Sequence, residues 1–96
     1  MRMFLIIYDA ELDEEVLHLL NECGVTGFTK WDRVLGKGRE SPPKMDDAVW
    51  PGFNCAIALS AEDHLADRIL DKMAKFAERL GGKGFKLFEL PLIREI

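Results

Sequence analysis

Residues 3 to 8, Met-Phe-Leu-Ile-Ile-Tyr, are apolar at both alternating sets, with Met3, Leu5 and Ile7 on one side and Phe4, Ile6 and Tyr8 on the other. A strand built from them has no polar face to give to water, so both of its faces need cover. The whole chain has 96 residues, enough for one domain and one layer of helices over a sheet. Cover for the second face is then expected from other copies of the chain, and a homo-oligomer is predicted.

The hydrophobic period changes after this strand. From Ala10, Leu12, Val16, Leu17 and Leu20 recur at helical spacing, Asp9 can cap, and Glu11, Asp13, Glu14 and Glu15 crowd a first turn that favours negative charge. Gly24 is placed to end that helix. Residues 27 to 35 (GFTKWDRVL) and 52 to 60 (GFNCAIALS) read as two strands, the latter with Phe53, Cys55, Ile57 and Leu59 on one face. Between them lies a loop, residues 37 to 50, rich in glycine, proline and charge.

Ser60 followed by Asp63 reads as a capping-box-like start, and Leu65, Ile69, Met73, Phe76, Ala77 and Leu80 form the apolar stripe of a long second helix. The run Gly-Gly-Lys-Gly stops it. Residues 85 to 93 (FKLFELPLI) make a fourth strand, whose Pro91 points to a sheet edge. The order β-α-β-β-α-β over a single domain, residues 1 to 96, predicts an α+β ferredoxin-like fold: a four-stranded antiparallel sheet with two helices on one face. Phe85, Leu87, Phe88 and Leu90 add to the apolar surface of that sheet.

Charge and composition exclude several classes of function. Seventeen acidic against thirteen basic residues give a formal charge of −4, which is unsuited to holding duplex nucleic acid by its phosphates. The longest apolar run is too short for a membrane span or a secretory h-region, so a cytoplasmic protein without membrane insertion is expected. Cys23 and Cys55 lack a CxxC spacing and read as buried, reduced thiols. No residue is marked as a nucleophile or base: Ser41 and Ser60 have no activating partner in view, and no enzyme is expected.

Two glycine-rich turns could expose backbone N–H groups to an anion, with Lys37, Arg39, Lys83 and Lys86 adding charge. The alternative is that Gly36 and Gly38 close a strand while Gly81, Gly82 and Gly84 end a helix. Trp31 and Trp50 flank the loop, placed either to stack on a ligand or to pack a strand pair or interface. His18 and His64 lie on helices without ligand spacing, and Asp46 and Asp47 read as solvated loop charges.

The segment GVTGFT at 24 to 29, followed by VLGKGR at 34 to 39, resembles the part of the PII nitrogen-regulatory signalling proteins that leads into their T-loop. The element order and the glycine-rich turn after the second helix share the resemblance. GFTKW, PPKM and VWPGFN are similar to a divergent, short-loop PII-like branch. The resemblance implies a homotrimer that is a regulator rather than an enzyme. Small-molecule sites would lie in the clefts between subunits, with ATP or ADP as the ligand, and the loop would contact a regulated transporter or enzyme.

It assigns the ligand site to Thr29, Gly36, Gly38 and Arg39 of one chain and to the glycine turn of the next, where the charge reading adds Lys37 to the first group and Lys83 and Lys86, beside Gly82 and Gly84, to the second. The partner-binding loop would use Glu40, Ser41, Lys44, Asp46, Asp47 and Trp50. In the last turn the family reads Gly-Asp-Gly-Lys, where this chain has Gly82-Lys83-Gly84-Phe85 with its next lysine at Lys86. The loop has no tyrosine to carry the uridylylation of many relatives. The divalent-cation-tolerance family, which shares the architecture, supplies the alternative: a trimeric metal-binding protein using Cys23, Cys55 or the histidines.

Overall fold

A strand that is apolar on both sides belongs in the middle of a sheet, and that is where it lies. The computed structural model describes residues 1–96, with strand β1 (Arg2–Asp9), a short 3-10 turn (Ala10–Leu12), helix α1 (Asp13–Cys23), β2 (Thr29–Val34), β3 (Asn54–Ala61), α2 (Asp63–Arg79) and β4 (Phe85–Pro91). The sheet order is β2-β3-β1-β4, and every neighbouring pair is antiparallel. Ile6, at the centre of β1, faces Ile57 on one side and Leu87 on the other.

Phe4, Ile6 and Tyr8 point to the helical layer and are fully buried with Ile57, Leu59, Val16, Leu20, Ile69, Met73 and Phe76. The stripe expected on α2 is the one that packs. It also includes Ala66, fully buried and not foreseen, because a small residue carries little hydrophobic signal. Met3, Leu5 and Ile7 point the other way and stay partly exposed. On that face Leu5 lies between Ala58 and Phe88, and no helix covers it. Trp31 is 50%, Phe88 45% and Leu90 44% exposed, so the uncovered face is an apolar patch of the kind that a monomer rarely leaves open.

Helix α1 ends as expected, with Gly24 left-handed at φ 93° and its N–H on the carbonyls of Asn21 and Leu20. Its start differs. Asp9 accepts the N–H of Glu11 and holds the first turn as a 3-10 turn, so the α-helix begins only at Asp13. The start of α2 corrects the sequence reading as well. Ser60 caps nothing: pairing between β1 and β3 runs on to Arg2 opposite Ala61, which keeps the backbone extended through Ser60. Its hydroxyl donates to Glu95 at 2.8 Å, and the N-cap is Glu62, without a side-chain cap bond. Strand β2 is shorter than expected, Thr29–Val34, and its register slips between Trp31 and Val34, as at a bulge. Pro91 ends β4 at the sheet edge, as read.

Asp13 has a task beyond the helix dipole. Tyr8 Oη donates to one of its oxygens at 2.6 Å and Lys30 Nζ to the other at 2.7 Å. Burial, together with the Asp13 carboxylate, pushes the Tyr8 phenol well above its ordinary pKa. The bonds from Asp13 and Asp32 push that of Lys30 upward too. The result ties β1, α1 and β2 together with one charge cluster. No helix is long and apolar enough to cross a membrane.

Candidate functional site

The antiparallel order brings one set of chain ends to the Asp9 end of the sheet. The ends of β1 and β2, the start of β3 with the loop before it, the end of α2 and the start of β4 all meet there. Both glycine-rich segments singled out in the sequence therefore lie at the same end. They lie at opposite edges, however, since β3 and β1 separate β2 from β4, and three strand spacings amount to roughly 14 Å. One chain alone does not bring them together.

At the β2 edge the loop is closed by a two-way backbone bridge, Gly36 N–H to the Lys44 carbonyl at 3.0 Å and Lys44 N–H to the Gly36 carbonyl at 2.7 Å. Above this bridge the N–H groups of Lys37, Gly38 and Arg39 take part in no backbone bond. The Lys37 and Arg39 side chains have no carboxylate within 4 Å, although six of the other basic residues are paired. Consecutive free amides beside free cations are donors of the kind an anion takes. A Cβ at Gly38 would meet Ser41 Oγ, the tip of an exposed side chain.

Lys44 was expected on a partner-binding surface. The structure turns it inward, where Nζ donates to Asp9 Oδ2 at 2.7 Å and to Asn54 Oδ1 at 3.1 Å. Asp46 and Asp47 are likewise not simply solvated charges. Asp46 pairs with Arg33 at 3.3 Å, while Asp47 Oδ1 accepts the N–H groups of Val49 and Trp50 at 3.0 and 2.6 Å. Further backbone bonds from Met45 and Asp47 to the Trp50 carbonyl close residues 45 to 50 into a turn. Glu40 and Ser41 are exposed, and the turn displays Val49 and Trp50 to solvent.

At the β4 edge the glycines serve the helix. Gly81 N–H bonds to Glu78, Gly82 N–H to Ala77 and Lys83 N–H to Leu80, all ending α2, with Gly81, Gly82 and Gly84 at positive φ. The backbone donors of Gly82 and Lys83 are thus committed to the helix end, and of those expected here for an anion only the Gly84 N–H takes part in no backbone bond. Besides it there remain the Lys83 and Lys86 side chains, both exposed and without a carboxylate partner. Next to them, Leu70, Ala74, Ala77 and Leu87 line an apolar groove of about 250 Å³. Thr29 lies elsewhere: it opens β2 opposite Ala58, seven residues before Gly36 and roughly 23 Å from the loop base along an extended chain.

Asp9 connects the two segments, and the sequence reading had it only as a cap. Besides Lys44 and the Glu11 N–H, its own N–H donates to the Gly84 carbonyl at 2.8 Å. Burial alone would raise its pKa, but the bonds from Lys44 and Glu11 and the Lys44 charge hold the carboxylate below its ordinary range. A pKa depressed on folding stabilises the fold above the unfolded value near ~4 and ceases to do so as the pH falls through the lowered folded value. In urea titrations between about pH 5 and about pH 2, Asp9→Asn is therefore expected to flatten part of the acid-dependent loss of stability. An unchanged pH profile would show that the pair with Lys44 contributes nothing.

The donors named for a metal are dispersed. Cys23 and Cys55 are free and buried in the core, His18 pairs with Glu22 at 3.5 Å on the outside of α1, and no three of His, Cys, Asp and Glu converge.

A model of the family described as nitrogen regulatory protein P-II matches residues 1–94. Among solved structures, the chain is similar to CPII, a nitrogen regulatory PII-like protein from Thiomonas intermedia K12, bound to ADP, AMP and bicarbonate. The two are 19% identical with a TM-score of 0.73, over 97% of this chain and 88% of that one. CPII with ADP and bicarbonate gives a TM-score of 0.70 at the same identity and coverage. A PII-like signalling protein from Thermus thermophilus is 16% identical with a TM-score of 0.67, over 93% of this chain and 83% of that one. At these identities the likeness is one of fold. No curated protein matches the chain.

Proposed function

The chain belongs to the nitrogen regulatory protein P-II family, and on that premise we propose that it works in the cytoplasm as a homotrimeric sensor of an adenine nucleotide. Each nucleotide would lie in a cleft between the loop base of one copy and the glycine turn of the next. The protein acts by binding, without turnover, and reports to a regulated protein through residues 37 to 50.

The observation that carries this reading is the distribution of free charge. Lys37, Arg39, Lys83 and Lys86 have no carboxylate partner, whereas Lys44, between the two segments in the fold, is neutralised by Asp9. Four unpaired cations at the same end of the sheet, two at each edge, suit phosphate groups once the edges of two copies meet. The apolar groove beside Lys86 offers a wall for the base. The uncovered face of the sheet supplies the reason for copies to associate. ADP and AMP bound to CPII support the choice of nucleotide, and the bicarbonate found there makes it a second ligand to try. A ligand that prefers one arrangement of the loop shifts the population toward it.

The test is calorimetric titration of the protein with ADP, AMP and ATP, with and without Mg²⁺. Arg39→Ala is expected to weaken nucleotide binding by roughly ten- to a hundredfold, the worth of about 1.5–3 kcal/mol for a hydrogen bond to a charged group. Equal affinity in the variant would remove the loop base from the site, and no heat with any nucleotide would end this reading.

A further inference from the structure

In a ring of copies each chain lends its loop base to one cleft and its glycine turn to the next, so the two segments of a single chain serve different ligands. Within the chain a short series of contacts joins them. The Gly84 carbonyl accepts the Asp9 N–H at 2.8 Å. The two residues are also in close contact, since a Cβ at Gly84 would lie 3.3 Å from Asp9 Cβ and 3.8 Å from Leu12 Cδ1. Glycine at 84 thus lets the turn lie against the end of β1, where a side chain would crowd Asp9.

Asp9 Oδ2 holds Lys44 Nζ at 2.7 Å, with Asn54 Oδ1 as the second acceptor at 3.1 Å. The Lys44 backbone is bonded in both directions to Gly36, the residue from which the free amides of Lys37, Gly38 and Arg39 rise. Asp9 and Lys44 thus form a continuous series of contacts from the turn at one edge to the bridge below the free amides at the other.

We infer that Asp9 is a positioning residue that couples adjoining clefts, so that the loop base of a chain responds to ligand bound at that chain's glycine turn as well as to ligand in its own cleft. The inference rests on the trimeric nucleotide-binding reading above. Coupling between sites is a difference in affinity for successive ligands. Asn at position 9 keeps an acceptor for the Glu11 N–H and the backbone bond to Gly84, and loses the charge that holds Lys44.

The experiment is calorimetric titration of the assembled protein with ADP, for wild type, Asp9→Asn and Lys44→Gln, with light scattering to establish that each remains assembled. In the wild type the microscopic affinities of the first and last ADP are expected to differ by about fivefold or more, and in both variants to become equal. Lys44→Gln leaves the strand end and the α1 start untouched, and it decides the matter if Asp9→Asn fails to assemble. Equal affinities in the wild type, or unequal ones that persist in Lys44→Gln, overturn the coupling while leaving nucleotide sensing in place. Absence of ADP binding overturns both.

Discussion

Leu5→Glu is expected to leave a folded chain that is monomeric at micromolar concentration, with the wild type expected to sediment as the proposed trimer. Leu5 lies at the middle of the central strand, on the face without helices, between Ala58 and Phe88. It is absent from the core cluster under the helices, so the substitution spares the interior of the monomer. In the proposed trimer, with the open faces turned to one another, it would remove a buried leucine worth about 1.5–3 kcal/mol per copy. It would also bring three carboxylates toward one axis in an apolar setting, at a cost of several kcal/mol more. Because each proposed ligand cleft needs two copies, nucleotide binding should disappear with the trimer. Sedimentation and far-ultraviolet circular dichroism together decide the question. A Leu5→Glu protein that stays trimeric would mean that copies associate through some other surface.

Phe76→Ala is expected to cost about 3–5 kcal/mol of stability, a large share of the ~5–15 kcal/mol of a small domain. The ring is 2% exposed and meets Phe85 edge to face, with centroids 5.4 Å apart and planes at 89°. The Arg79 guanidinium covers its outer side at 5.2 Å. Loss of the ring leaves a cavity and forfeits an aromatic pair worth ~0.5–1.5 kcal/mol beyond its area. The same contact holds the last turns of α2 against the first residue of β4, so the glycine turn between them should loosen as well. Urea unfolding followed by fluorescence measures the shift in midpoint. A loss below about 1 kcal/mol would mean that the site collapses to fill the gap.

Much of the fold could be read from side-chain periodicity because periodicity is local. The double apolar set in residues 3 to 8 called for cover on both faces of β1 and for other copies on one of them, whereas its place at the sheet centre came only with the strand order. The α2 stripe named its packing residues, and Gly24 marked a helix end. The start of α2 was misread for a physical reason. Ser60 and Asp63 have cap chemistry, but whether a residue caps depends on where its strand stops pairing, and that was set by Arg2, some sixty residues away. The ligand site was legible to a lesser degree. Sequence named two glycine segments and their cations. It did not separate donors that are free, at Lys37 to Arg39, from donors spent on a helix end, at Gly81 to Lys83, because a glycine pattern looks the same in both uses.

By itself, then, the sequence determined which segments are strands and helices, which of their faces are apolar, and where cations accompany glycines, all properties of residues a few positions apart. The tertiary structure alone decided which charges are paired. Asp9 with Lys44, Asp13 with Tyr8 and Lys30, and Asp46 with Arg33 become neighbours only once the strand order β2-β3-β1-β4 is set. A carboxylate has lone pairs for several donors, and nothing in its local sequence says which distant donor the fold will bring to it. Of the cations left over when that pairing is complete, Lys37, Arg39, Lys83 and Lys86 stand at the Asp9 end of the sheet, where the proposed ligand lies.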